Sequence, residues 1–191
     1  MITCRACPLR GRARLSFSAI AACALAVLLT SPSSIAQQDE RSVRAAFVYN
    51  LTKYVVWPSS TQKLNICVLG NGTIGPALQA VIDGKSTGQR TINVSLEPGD
   101  SELGRCGILY FSGLPPARLS AILDKTLTTS ALTVGEDESF LRHGGMIAFV
   151  RSGDSLQVMV NLDAVLAENL KISSRLLDLA IILHTGRRES R

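Results

Sequence analysis

Four short apolar runs, separated by stretches of helical character, constrain this chain more than any other feature. Leu64-Asn65-Ile66-Cys67-Val68-Leu69 reads as a buried strand, Thr91 to Leu96 as an alternating one, Gly107 to Phe111 as an apolar one, and Ala131 to Val134 as a short fourth. Between the first two, Gly70 to Gly75 forms a turn, and a helix runs from Pro76 through Leu78, Val81 and Ile82 to Gly84. Pro98-Gly99-Asp100 is a loop, and Pro115-Pro116 opens another helix with Leu119, Ile122 and Leu123 facing in. Strands that alternate with helices imply a mostly parallel sheet covered on both faces.

Two further strands, Met146 to Val150 and Leu156 to Val160, flank Ser152-Gly153-Asp154 and form a hairpin, which places an antiparallel pair at the sheet edge. Asp39 to Trp57 reads as a leading helix with Val43, Phe47, Asn50/Leu51 and Tyr54 on its apolar face, ended by Pro58. Asp163 to Leu183 reads as helical, with a break near Lys171-Ile172-Ser173 and Ser173 capping the last helix. The fold class is therefore α/β, a single domain, with no internal repeat and no linker long enough to divide it.

The first 36 residues differ from the rest. Arg5, Arg10, Arg12 and Arg14 precede an uncharged apolar run, Leu15 to Leu29, and Ser34-Ile35-Ala36 fits a small-x-small cleavage pattern. This is the layout of a cleavable signal peptide, residues 1–36, with the folded domain at 37–191. Fifteen apolar residues reach only about 22 Å, short of a ~30 Å hydrocarbon core, which weighs against a retained anchor. The apolar run continues past Cys23, which weighs against a lipoprotein. No Arg-Arg pair precedes the run, so the expected route is Sec export to the periplasm, with folding after crossing and no cofactor loaded inside the cell.

Removing the leader changes the arithmetic. It takes four of the 20 Lys and Arg and none of the 15 Asp and Glu, leaving a net charge near +1. The basic pI belongs to the leader, and nucleic-acid binding loses its support. A chain of this length buries roughly 70% of its unfolded surface, enough for one core. Two of the five cysteines stay, Cys67 and Cys106. In an oxidising compartment they are most simply one disulfide, the alternative being two buried thiols. Neither His143 nor His184 sits at ligand spacing from them, so no metal site is expected.

Gly70-Asn71-Gly72-Thr73-Ile74-Gly75 matches G-x-G-x-x-G between a strand and a helix, and Glu97 lies 22 positions further on. That is the dinucleotide fingerprint in its expected context. Three points weigh against it: export to a space without a nicotinamide pool, too little chain after Glu97 for a substrate domain, and no acid/base set to use a hydride. The plainer reading is a short β-α turn closed by glycines. His143-Gly144-Gly145, Ser173-Ser174-Arg175 and Glu136-Asp137-Glu138 read as a solvated loop, a helix cap and a solvated turn. No catalytic residue, cofactor or metal is assigned.

One cluster asks for an explanation. Phe47, Tyr49, Tyr54 and Trp57 fall within eleven residues. Helical spacing buries Phe47 and Tyr54, whereas Tyr49 lies off that face and Trp57 sits at the exit. Tyr49 and Trp57 are the candidate partner-binding residues, with core packing as the alternative.

Arg44-Ala45-Ala46-Phe47-Val48-Tyr49-Asn50-Leu51-Thr52-Lys53-Tyr54-Val55-Val56-Trp57-Pro58 resembles the opening signature of the YfiR-like periplasmic proteins, an alanine-alanine-aromatic helix that ends in Trp-Pro. Ile66 to Gly70, Gly75, Leu78, the cysteine before the third strand, Gly144 to Ile147, Asn161 to Ala164 and Leu170 to Leu177 resemble the family in the same order. The resemblance implies a compact α/β periplasmic domain with no known enzymatic activity. It implies that the protein represses an inner-membrane diguanylate cyclase by binding its periplasmic sensor region, lowering cyclic di-GMP and restraining biofilm. Other members accompany histidine kinases, whose sensor region is the other partner class, and a homodimer is left open. Some relatives carry further cysteines absent here, so control through a second bridge does not carry over. Two alternative functions remain: a dinucleotide-binding oxidoreductase that uses Gly70–Gly75, and a periplasmic small-ligand carrier.

Overall fold

A helix that leads into a short strand pair sets one face of the sheet. The computed structural model describes residues 33–58, 63–82, 85–88, 90–127 and 129–185. The expected signal segment lies outside the described residues except for Ser33 to Ala36, which are helical. The chain divides into two units, Met1–Gln37 and Gln38–Arg191, and the second carries the sheet.

Helix α1 (Ser33–Tyr54) buries Ala45, Val48 and Leu51, a line that shares only Leu51 with the expected face. Val43 is 41% exposed, while Phe47 and Tyr54 are half-buried. Apolar residues nearly surround this helix, so their spacing alone does not fix its phase; the sheet does. Phe47 still packs on Phe149, ring centroids 5.7 Å apart. The helix stops three residues before Trp57, because Val55–Val56 (β1) turns extended and pairs antiparallel with Lys171–Ile172 (β9).

The sheet is built round β2 (Lys63–Leu69). From there the chain runs through α2 (Ile74–Ile82), β3 (Ser86–Thr87) and β4 (Arg90–Leu96), a 3-10 turn (Asp100–Arg105), then β5 (Ile108–Phe111), α3 (Pro116–Thr126) and β6 (Leu132–Gly135). A short helix α4 (Glu138–Arg142) leads to β7 (Ile147–Ser152) and β8 (Ser155–Asn161). With a last strand, β10 (Ala180–Leu183), the strand order is β10-β8-β7-β6-β5-β2-β4-β3. Strands β4, β2, β5, β6 and β7 are mutually parallel, and β7–β8 is the expected antiparallel hairpin, turning at Gly153 with φ +58°, but it stands one strand in from the edge because β10 pairs outside β8. The expected α/β class, with a mostly parallel sheet, holds.

Both faces are covered because successive side chains leave a strand on opposite sides. Ile66, Val68, Ile108 and Tyr110 pack under α1 and α2, while Cys67, Leu69, Leu109 and Phe111 pack under α3 and α4. All eight are buried, which accounts for strands that read as continuous apolar runs.

The C-terminal part differs from the helical expectation. It comprises α5 (Leu162–Ala167), β9, a four-residue α6 (Ser174–Leu177) and a strand, β10 (Ala180–Leu183). Ser173 caps α6 as expected, accepting from the Arg175 N–H at 3.3 Å. Ala180 to Leu183 matches helix and strand patterns equally over four residues. Parallel pairing with β8, Ala180 on Val158 to Leu183 on Asn161, decides it.

Candidate functional site

In an open α/β sheet the usual ligand crevice lies beyond the carboxyl ends of the strands, where the strand order reverses. Here the chain passes from β2 to β4 on one side and crosses back to β5 on the other, so the reversal falls between β2 and β5. The Gly70–Gly75 turn sits there and is closed by the chain itself. Gly70 has φ +95°, and a Cβ on it would lie 2.0 Å from the Ser112 carbonyl oxygen and 2.9 Å from Leu114 Cγ. The Ser112 N–H donates to the Leu69 carbonyl at 3.0 Å, zipping the two loops together. A Cβ on Gly75 would meet Leu96 at 2.7 Å. These glycines therefore serve close packing of chain on chain. Glu97 ends β4 with φ 47°, and its half-exposed carboxylate lies 4.0 Å from Arg118.

The two cysteines form a disulfide, with Cα atoms 5.8 Å apart and a sequence separation of 39. Cys67 lies in β2 and Cys106 just before β5, and both are buried. The bond ties the ends of the segment that carries α2, β3 and β4 around the reversal point.

The two candidate aromatics have different settings. Trp57 is buried, 7% exposed, and its indole N–H donates to the Gly107 carbonyl at 3.0 Å. The Arg90 guanidinium lies over its ring, 5.8 Å from the centroid. Tyr49 stays half-exposed on α1. Lys53 Nζ lies 4.4 Å and Lys85 Nζ 5.0 Å from its ring centroid, so two ammonium groups approach one aromatic ring. Thr52 fixes this arrangement: its hydroxyl donates to the Tyr49 carbonyl at 2.6 Å and pairs with the Thr87 hydroxyl at 2.9 Å, holding β3 and the adjacent Lys85 against α1. Exposed Val56 continues the surface beyond the helix.

A polar network near the carboxyl ends of β5 and β6 was not legible in the sequence. Glu136 is not a solvated turn residue. It accepts from the Tyr110 hydroxyl at 2.9 Å and the Ser112 hydroxyl at 2.7 Å, and lies 3.3 Å from Arg44. Arg44 also contacts Glu40 at 2.6 Å, and Glu40 pairs with Arg151 of β7. Burial pushes the Tyr110 phenol far up, helped by the Glu136 charge, so it remains a donor. Burial opposes the Arg44 charge, but Tyr110, Glu136 and Glu40 outweigh it and hold the guanidinium above its ordinary value. The network bolts α1 to the sheet. Its neighbour Asp137 caps α4, accepting from the Phe140 N–H at 2.9 Å. His143 ends α4 with Nδ1 2.7 Å from the Ser139 carbonyl. Among the described residues no three His, Cys, Asp or Glu side chains are placed to hold a metal ion.

On the opposite end of the sheet lies a cleft of about 790 Å³, lined among others by Leu123, Thr133, Met146, Asn161, Ala164 and Glu168.

These features define a small doubly wound α/β domain whose first crossover is tied by a disulfide. Residues 41–181 match the model of the YfiR/HmsC-like family, DUF4154, and the chain belongs to that family. The YfiR-like family is one of periplasmic regulatory proteins not known as enzymes. Among the described residues no helix is long and apolar enough to cross a membrane. A comparison with curated proteins finds no match. The chain is similar to the structure of a conserved domain protein from Vibrio cholerae O1 biovar El Tor at 6% identity and a TM-score of 0.51, covering 72% of this chain and 59% of that one. It thus spans less than two thirds of that structure, and the likeness concerns the fold. The ABC domain from Streptococcus pneumonia, solved in complex with L-Trp, aligns at 7% identity and a TM-score of 0.46, over 70% of this chain and 58% of that one.

Proposed function

We propose that this protein is exported with removal of residues 1–36 and restrains an inner-membrane diguanylate cyclase by binding that enzyme's periplasmic sensor region. The family match over residues 41–181 carries the reading. Binding is stoichiometric: the domain prefers one of two states of the receptor and shifts the population toward it. Tyr49, with Lys53 and Lys85 beside its ring, is the contact we assign, and it suits an acidic partner surface. Trp57 supports that contact from beneath by fixing the helix exit.

Deleting the gene raises cellular cyclic di-GMP and biofilm, and restoring the wild-type chain reverses both. A Tyr49→Ala chain folds, losing about 1 kcal/mol of stability because the side chain is partly buried against the core, but weakens partner binding at least tenfold, roughly 1.4 kcal/mol. Unchanged cyclic di-GMP in the deletion strain, together with binding to a histidine kinase sensor region, would replace the cyclase by the kinase as receptor.

The cleft supports a second reading, a small-ligand carrier, since its size and largely apolar walls suit a small molecule. Native mass spectrometry of the chain purified from periplasm tests it: a co-purifying mass favours the carrier, and a bare chain removes it.

A further inference from the structure

The cleft of about 790 Å³ combines charge of one sign with uncovered apolar wall. Asp124 of α3, Asp163 of α5 and Glu168, the residue after α5, line it, and among the described residues no Lys or Arg does. The acids are graded in depth. Glu168 is 8% exposed and accepts from the Ser130 N–H at 3.2 Å. Asp163 is half-buried and lies 3.2 Å from His184, and Asp124 is exposed. His143, also in the lining, holds Nδ1 2.7 Å from the Ser139 carbonyl. Leu123, Ala131 and Met146 give buried apolar wall, whereas Leu127 and Leu166 remain 56% and 58% exposed. A single exposed leucine needs no explanation, but two on the wall of one cleft leave apolar surface for a guest to cover.

Charge decides which guest fits. Burying a carboxylate costs solvation, and a cation beside it offsets that loss. Apolar walls of low dielectric strengthen the attraction. A carboxylate or phosphate on the guest would instead meet three like charges, which excludes acids and disfavours zwitterions. From this pairing of carboxylates with uncovered leucines we infer that the cleft binds an organic cation, an ammonium group on an apolar body with no acid group of its own. The ammonium lies by Glu168 and Asp163, and the apolar body covers Leu127 and Leu166. The volume of the cleft suits a molecule of that kind. This inference rests on the carrier reading of the cleft and names its ligand class, and it does not depend on Tyr49 or on the cyclase.

Calorimetric titration of the exported chain with phenylbutylamine, phenylbutanol and phenylbutyrate is the test, since the three share a body and differ in charge. The amine binds about tenfold more tightly than the alcohol, and the butyrate does not bind. Glu168→Gln, which keeps an oxygen acceptor for the Ser130 N–H, brings the amine down to the level of the alcohol. Leu166→Lys, a change at an exposed site, brings a tethered ammonium to the cleft and competes with the guest. Its melting curve stays that of wild type while its affinity for the amine falls about tenfold. Equal affinity for amine and alcohol, or a preference for the butyrate, overturns the inference and leaves the carrier reading standing. Amine binding that Leu166→Lys leaves intact overturns the cleft as its site. No binding of any of the three overturns the inference, and a bare chain from the periplasm then removes the carrier reading as well.

Discussion

Replacing both Cys67 and Cys106 by alanine is expected to lower the unfolding free energy by about 4 kcal/mol. The bond closes a loop across a sequence separation of 39, and the unfolded chain without it regains the freedom of that loop. The ends it joins belong to adjacent central strands, since β2 pairs with β5 from Ile66 on Ile108 to Leu69 on Phe111. Against a total stability of typically 5–15 kcal/mol, a change of this size moves the urea midpoint far enough to approach unfolding under assay conditions. The measurement is a pair of urea curves, oxidised wild type against the double variant. Coincident midpoints would show that the cross-link does not constrain the unfolded state. Because the bond holds the crossover carrying β3, and Thr87 of β3 meets Thr52 beside Tyr49, loss of the bond is also expected to weaken partner binding.

The second large effect concerns Trp57. Trp57→Ala removes a buried indole and leaves the Gly107 carbonyl without its donor from that side chain. Truncation of a core aromatic costs about 3–5 kcal/mol, and Trp57→Phe is expected to recover most of the packing but not the hydrogen bond, at roughly 1 kcal/mol. Thermal melts of the three proteins order as wild type, Phe, Ala. A Trp57→Ala chain that melts like wild type yet fails to bind the receptor would return Trp57 to the contact surface. Tyr49→Ala has the opposite signature, with most of the stability kept and binding lost.

The strands of the central sheet were legible because burial on both faces writes them as short apolar runs bounded by Gly and Pro. The disulfide was legible from the cysteine count and the expected compartment, since only Cys67 and Cys106 lie beyond the expected leader. Other features depend on partners far away in sequence. The buried line of α1, Ala45, Val48 and Leu51, is set by the sheet it lies on, and the surrounding apolar residues hide its phase. β10 is specified by β8, and four apolar residues cannot announce a strand on their own. Glu136 reads as one of three surface acids, and only the folded chain brings Tyr110, Ser112 and Arg44 to it. The glycine motif shows the converse. Its spacing correctly marks a tight β-α turn with close backbone approach, but the group that approaches is the Ser112–Leu114 loop of the same chain. Of the two aromatic candidates, Tyr49 is partly buried just as Phe47 and Tyr54 are, a grading that helical spacing does not give, and the burial of Trp57 depends on the distant Gly107.

The central claim is that this domain acts by contact with a receptor. It is tested most directly by titrating the purified, oxidised chain into membranes containing a diguanylate cyclase with a periplasmic sensor region, and following cyclic di-GMP formation from GTP. The account expects synthesis to fall along a saturable curve that reaches its floor near one chain per receptor and is lost with Tyr49→Ala. Full synthesis in the presence of excess chain, with no complex detectable, would contradict it.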